Sequence, residues 1–258
     1  MKRKTLLLIV ACTVVFTVAI AQQKNTDSAA IVKHPMNLIK VNLTAILLKN
    51  YSFQYERILS RKVSIAIGYR TMPSSILPFQ STIIKLAGDD PDTQEQIRNF
   101  KLSNTAITPE IRFYMSKKGY GRGFYFAPFY RHGTYNGSNL KFSYSNGLAG
   151  IENSIQMSGK LSGNSYGLML GAQWALGKHV SLDWWIIGPH YGTGNGEFKG
   201  IATKPLSNEE QANLKQTLED LNIPLTKKTV TVNSAGAIVN LDGPFGGVRA
   251  GLLLGIRL

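Results

Sequence analysis

GGVRAGLLLGIRL, Gly246 to Leu258, closes the chain, and its reading decides the fold. Side chains alternate across an extended strand with a period of two. On that spacing Val248, Ala250, Leu252, Leu254, Ile256 and Leu258 share one face. Arg249, Gly251, Leu253, Gly255 and Arg257 share the other. One face is wholly apolar and the other carries two guanidinium groups. In a soluble sheet the apolar face would meet a protein core. In a strand closing a membrane barrel it meets lipid, and the arginines meet a polar lumen.

The same alternation recurs upstream. Strand 1 is expected over Leu38–Leu48, with Ile39, Val41, Leu43, Ala45 and Leu47 outward and Lys40, Asn42 and Thr44 inward. After a Lys49-Asn50 turn, Tyr51, Phe53 and Tyr55 alternate with Ser52, Gln54 and Glu56 in strand 2, Tyr51–Leu59. Ser60-Arg61-Lys62 leads to strand 3, Val63–Arg70. Strand 4, Asn104–Met115, sets Ile107, Ile111 and Phe113 against Glu110, Arg112 and Tyr114. Pro109 within it removes a ladder donor or marks a bulge. Strand 5, Phe124–Tyr135, is aromatic on both faces and its sides stay unassigned. Strand 6, Tyr166–Leu176, points Tyr166, Leu168, Leu170, Ala172, Trp174 and Leu176 outward. Strand 7, Val180–Gly188, puts Asp183 opposite Leu182 and Trp184. These hairpin-linked alternating runs predict an all-β fold: an eight-stranded antiparallel up-and-down transmembrane β-barrel.

The connections sort by length. The turns after strands 2, 4 and 6 are short: Ser60–Lys62, Ser116–Gly123 and Gly177–His179. The insertions after strands 3, 5 and 7 are long: Thr71–Ser103, Asn136–Ser165 and Pro189–Phe245. Outer-membrane barrels have this asymmetry of short inner turns and long outer loops; the first outer loop, Lys49-Asn50, is short and is the one departure. Two outer loops carry helical signals. Asp90-Pro91 is an N-cap followed by a first-turn proline, predicting a short helix to about Phe100. Ser207 and Glu210 fit a capping box, with Leu214, Leu218 and Leu221 at helical spacing and Pro224 marking the end. Asn136–Ser165, rich in Asn, Ser and Gly, reads as strand extensions rising above the membrane. Tyr51, Tyr69, Tyr114, Trp174, Trp184 and Tyr191 lie where interfacial aromatics would.

The first 21 residues read as a signal peptide: Lys2, Arg3 and Lys4, an apolar run Thr5–Ile20, then Ala19-Ile20-Ala21. Residues 22–37 read as a periplasmic leader and 38–258 as the barrel domain. Ile9-Val10-Ala11-Cys12 also resembles a lipobox. Cys12 is the single cysteine, so a chain cleaved after Ala21 has no disulfide and no thiolate ligand or nucleophile. Such a chain keeps 26 basic against 15 acidic residues, a net of +11. The basic residues are scattered, which suits lipid headgroups or lipopolysaccharide phosphates rather than nucleic acid.

KVNLTAILLKNYSFQYERIL, TPEIRFYMSKKGYGRGFYFAPFYR, GLMLGAQWALGKHVSLDWWIIGPHYG and LDGPFGGVRAGLLLGIRL resemble a family of small outer-membrane β-barrels from Bacteroidota. That family is similar in plan to OmpA- and OmpX-type eight-stranded barrels. The resemblance implies an outer-membrane location and no catalytic motif. The partners expected are outer-membrane lipids and lipopolysaccharide, the outer-membrane barrel assembly machinery, and an extracellular ligand at the long loops.

Glu56, Glu110, Arg112, Asp183, Arg249 and Arg257 are expected to face the lumen as a structural charge network, with Lys40, Gln54 and Gln173. At eight strands side chains fill a barrel interior, so a salt-bridged plug is favoured over a narrow ion pore. A lipid A hydrolase or acyltransferase is the catalytic alternative. His132 and His190 near the outer strand ends, with serines such as Ser138 and Ser143 after strand 5, are its candidates, and no spacing joins them into a triad. The four histidines show no H-x-x-x-H spacing, so no metal site is expected. Gly192–Gly196 reads as a loop rather than a phosphate cradle. No cofactor is expected, and the role read from the sequence is structural or surface interaction without catalysis.

Overall fold

The computed structural model describes residues 35–145 and 152–258. The signal-peptide segment and nearly all of the leader lie outside the described residues, as does the tip of the loop after strand 5.

Among the described residues nine strands run β1 (Asn37–Asn42), β2 (Tyr51–Ile58), β3 (Val63–Ile76), β4 (Lys101–Tyr114), β5 (Gly123–Ser145), β6 (Glu152–Leu176), β7 (Val180–Ile201), β8 (Lys227–Asn233) and β9 (Gly236–Arg257). Eight of them close a ring. Each of β1 to β7 pairs antiparallel with the next, β7 pairs with β9, and β9 returns to β1. The seam joins Leu38 to Arg257 and Asn42 to Leu253, and is locked by reciprocal bonds between the backbones of Asn37 and Leu258. The ninth strand, β8, was not foreseen. It forms a hairpin with the upper part of β9, beyond the reach of β1.

Alternation runs as the residues dictate. Arg257 is 2% exposed and Leu253 fully buried, while Ile256 and Val248 are 59% and 66% exposed. In β5 the face that the residues alone left open resolves: Tyr125, Ala127, Phe129 and Arg131 point inward. Ala172 sits on the outer face as expected yet is covered, because Phe124 and Trp184 flank it in register.

Several boundaries move. Strand 1 ends at Asn42, not Leu48. Asn42 Oδ1 accepts the Ala45 N–H at 3.0 Å and caps a short helix, α1 (Leu43–Leu47). A side-chain acceptor placed before a small apolar run diverts the backbone into a turn, and the alternation at Leu43, Ala45 and Leu47 did not reveal it. The long insertions are largely strand: β3 continues to Ile76, and β7 and β9 extend well into Pro189–Phe245. Gly192–Gly196 is therefore part of β7, paired on both sides, and not a loop. Pro109 causes no register shift; it stays opposite Ile67 on β3. Register shifts fall elsewhere, between Met72 and Ser75 in β3, between Gly137 and Leu140 in β5, and in β7 between Trp185 and Gly188, where one extra residue leaves Ile186 and Ile187 both facing out.

The β3–β4 connection holds α2 (Gln80–Ala87) and α3 (Pro91–Asn99). The capping at Asp90 and Pro91 is as expected, with Asp90 accepting from the Thr93 N–H at 3.0 Å. α2 was not foreseen; its N-cap residue Phe79 has a φ of 54° and offers no side-chain acceptor. The β7–β8 connection holds α4 (Asn208–Glu219), whose capping box between Ser207 and Glu210 is complete. Leu214 and Leu218 are fully buried against Ile155, Met157 and Val239 of the extended sheet. Leu221 falls beyond the helix and is 38% exposed.

Candidate functional site in the barrel lumen

Below mid-height the lumen is filled by polar side chains, one to three from most strands of the ring. β1 delivers Lys40, β2 Gln54 and Glu56, β4 Glu110, Arg112 and Tyr114, β6 Gln173, β7 Asp183 and β9 Arg249. All face inward because each falls on the face opposite its strand's large apolar residues.

Arg112 is the hub. Its Nη1 meets Asp183 Oδ2 at 2.6 Å and Glu56 Oε2 at 3.4 Å. Its Nε donates to Glu110 Oε1 at 2.7 Å and its Nη2 to Gln54 Oε1 at 2.8 Å. Lys40 Nζ bridges Asp183 Oδ2 at 2.7 Å, Glu56 Oε2 and Gln173 Oε1. The second oxygen of each carboxylate is also used. Tyr114 donates to Glu56 Oε1 at 2.7 Å, Tyr125 to Asp183 Oδ1 at 2.8 Å, and Arg249 to Glu110 Oε2 at 3.2 Å. Gly171 leaves room for Tyr125: a Cβ there would lie 2.4 Å from the phenol oxygen.

Three cations face three carboxylates, so the cluster is neutral as a unit. Desolvation of a charge costs several kcal/mol, and only good geometry with every charged oxygen hydrogen-bonded offsets it. That condition is met here. Arg112, Lys40, Glu56 and Asp183 have no exposed surface. With every carboxylate oxygen accepting at least one hydrogen bond, none is presented as a general base. Arg249 extends the cluster upward, its guanidinium 4.5 Å from the Phe129 ring and 4.4 Å from the Trp185 ring.

Of the six charged residues read from the sequence, five join. Arg257 does not: among the described residues it makes no ion pair. Leu38 stands between it and Glu56, registered with both. Its Nη2 donates instead to the Tyr120 carbonyl at 3.0 Å in the β4–β5 turn. Tyr125 was missed, because Phe124 and Phe126 masked the parity of β5. Arg131, six residues on and on the same face, was the signal that could have set it.

The rim candidates do not converge. His132 points outward and its Nδ1 lies 2.8 Å from Asn164 Oδ1. His190 points inward, edge-on to Phe129 at 5.9 Å. Neither hydrogen-bonds Ser138 or Ser143. Among the described residues no group of three or more His, Cys, Asp or Glu could hold a metal ion, and no helix is long and apolar enough to cross a membrane.

A family model described as a protein of unknown function (DUF3575) matches residues 6–213. No curated protein matches the chain. Among solved structures, the N-terminal β-barrel domain of Pseudomonas aeruginosa OprF aligns over 87% of this chain and 98% of its own, at 10% identity and a TM-score of 0.25. That likeness is too distant to bear on function.

Proposed function

The chain belongs to the DUF3575 family, and for this member we propose a barrel that spans the outer membrane, closed to ions along its axis, with a structural or surface-interaction role and no catalytic activity. One observation carries the reading: the charges are inside and the grease is outside. Between Tyr166 and Leu176 the outer face of β6 is Tyr, Leu, Leu, Ala, Trp and Leu. At about 3.3 Å per residue this run is about 33 Å long. Tilted by about 40°, it spans about 25 Å, the height of the apolar band of such barrels. Tyr130, Tyr166 and Tyr191 stand side by side on β5, β6 and β7 at its upper edge, as interfacial tyrosines do.

In this reading residues 1–21 direct export, the short turns face the periplasm, and α4 with its sheet faces outward. That outer platform is where a partner or lipopolysaccharide would be met. The narrow-pore alternative is disfavoured by the neutral, fully buried cluster across the lumen. The hydrolase alternative is disfavoured by histidines that lack a serine partner.

Reconstitution into a planar bilayer tests the reading. Insertion without steady conductance is expected; a stable ohmic current would overturn the closed lumen. An epitope inserted after Asp220 is expected to be reached by antibody on intact cells, and access only after lysis would reverse the orientation.

A further inference from the structure

β1 is too short to pair with the whole of β9. Their ladder stops at Asn42 and Leu253, and above it α1 stands in for a strand. The ring is bridged there by little more than Thr44 Oγ1 accepting the Leu252 N–H at 3.3 Å. A cavity of about 740 Å³ passes through the wall at this point. Its outer part runs over Val248, Ala250 and Leu252, beside Trp184 and Ile186. Its inner part is lined by Arg70, Arg131, Arg249 and Trp185.

The charges at the inner end do not balance. Arg249 is matched by Glu110 within the neutral cluster. Arg70 and Arg131 have no carboxylate within 4 Å among the described residues. Arg70 Nε donates to Asn50 Oδ1 at 2.7 Å and Arg131 Nη1 to Thr108 Oγ1 at 3.0 Å, both neutral acceptors. Arg131 is only 5% exposed. A buried cation with neutral acceptors alone is costly. A group complementary to Arg70 and Arg131 carries about two negative charges and several acceptor oxygens, as a phosphate monoester does at neutral pH. Guanidinium forks match its geometry.

We propose that this opening between α1 and β9 is a lateral binding site for an amphiphile with a phosphate headgroup, its head held by Arg70 and Arg131 and its chain lying outside over Ala250 and Val248. The proposal rests on the membrane-barrel reading, since only there does the apolar half of the opening face acyl chains. Covering part of the wall with a five-residue helix leaves a passage that a ladder would have sealed.

The three tryptophans of the chain, Trp174, Trp184 and Trp185, all line this cavity, so their emission reports on it. The full chain in dodecyl maltoside micelles is titrated with dodecyl phosphate, dodecanol and inorganic phosphate. Saturable binding of dodecyl phosphate is expected, at least tenfold tighter than either of the others. The double variant Arg70→Gln/Arg131→Gln is expected to weaken it at least tenfold. Ala250→Phe, which narrows the outer half and leaves the arginines in place, is expected to lower dodecyl phosphate affinity toward that of inorganic phosphate. Equal binding of dodecanol, or unchanged affinity in the double variant, overturns the headgroup site. Equal binding of inorganic phosphate, or no effect of Ala250→Phe, overturns the amphiphile. Heat-modifiable migration and insertion into liposomes are followed in parallel. Their loss in the unaltered chain counts against the barrel reading itself, whereas intact insertion without binding counts against this site alone.

Discussion

Along β6 the molecule turns inside out. Below Tyr166 the outward residues are Leu168, Leu170, Ala172, Trp174 and Leu176, and the inward ones end in Gln173 within the charge cluster. Above it the outward residues are Asn164, Ser162, Lys160, Ser158 and Gln156, and the inward ones end in Met157 and Ile155 under α4. β7 repeats the change: Tyr191 separates Leu182, Trp184 and Ile187 from Thr193, Asn195, Glu197 and Lys199. The lower region is held by ion pairs inside apolar walls, and the upper by a hydrophobic core inside polar walls. One backbone ladder serves both, so the difference reports the surroundings rather than the hydrogen bonding. Apolar side chains turn toward whatever excludes water, which is α4 above and, on the membrane reading proposed for this chain, lipid below.

The largest expected effect breaks the lower region alone. Arg112→Leu leaves Glu110 and Asp183 short of a partner, and loss of one member of a buried ion cluster costs about 3–5 kcal/mol. The midpoint of urea unfolding in micelles, followed by tryptophan emission, is expected to fall accordingly, while protease sites around α4 stay protected. An unchanged midpoint would mean the cluster does not hold the ring. Next in size, Leu214→Ala removes a fully buried side chain from the upper core, a loss of about 2–5 kcal/mol for that region. Limited proteolysis is expected to open the α4–β8 segment with heat-modifiable migration retained. Cleavage throughout the ring would show that the two regions unfold as one.

A smaller loss, about 1 kcal/mol, is expected for Ser207→Ala, which deletes the cap of α4. The cap also sets a pH dependence. The Ser207 backbone N–H donates to Glu210 at 2.9 Å and, ahead of Lys204 and Asn153, holds the Glu210 carboxyl below its usual range. A carboxyl lowered in the folded state contributes stability above its unfolded pKa and loses it as pH falls through the folded value. Amide exchange in α4 is therefore expected to accelerate in acid, and Glu210→Gln to flatten that response; identical profiles would remove Glu210 as the cause. Smallest of all is Lys215→Ala. Lys215 and Glu219 are half exposed at 3.8 Å, with the lysine preceding the glutamate, the weaker order for a pair whose better form gives about 0.2–0.5 kcal/mol. A shift in α4 exchange beyond that range would reveal a contact not accounted for.

Much of the lower region could be read from residues because an apolar exterior and a polar lumen enforce strict alternation. The faces of β2, β4 and β9 follow directly from Glu56, Arg112 and Arg249. β5 resisted because aromatic side chains suit both a greasy exterior and a tight lumen. The upper region was less legible. Its strands alternate Gly, Ser and Asn with few large apolar residues, so β7 and β9 read as loop where they run on as ladder. The α4 capping box was plain because it depends on local chemistry at Ser207 and Glu210. α1 was hidden, since Leu43, Ala45 and Leu47 satisfy a strand period as well as a short helix. The charge excess at Arg70 and Arg131 could not be seen in the residues at all. It depends on which carboxylates the ring brings near, and register decides that.

The seam between β1 and β9 has a kinetic side. It zips Asn37 to Leu258, so no closed cylinder exists until the final strand arrives. Contacts so distant along a chain form late, and until then two unpaired edges are open to any neighbouring strand. A short β1 shrinks one of those sticky borders, at the expense of the tighter wall that a longer strand would give.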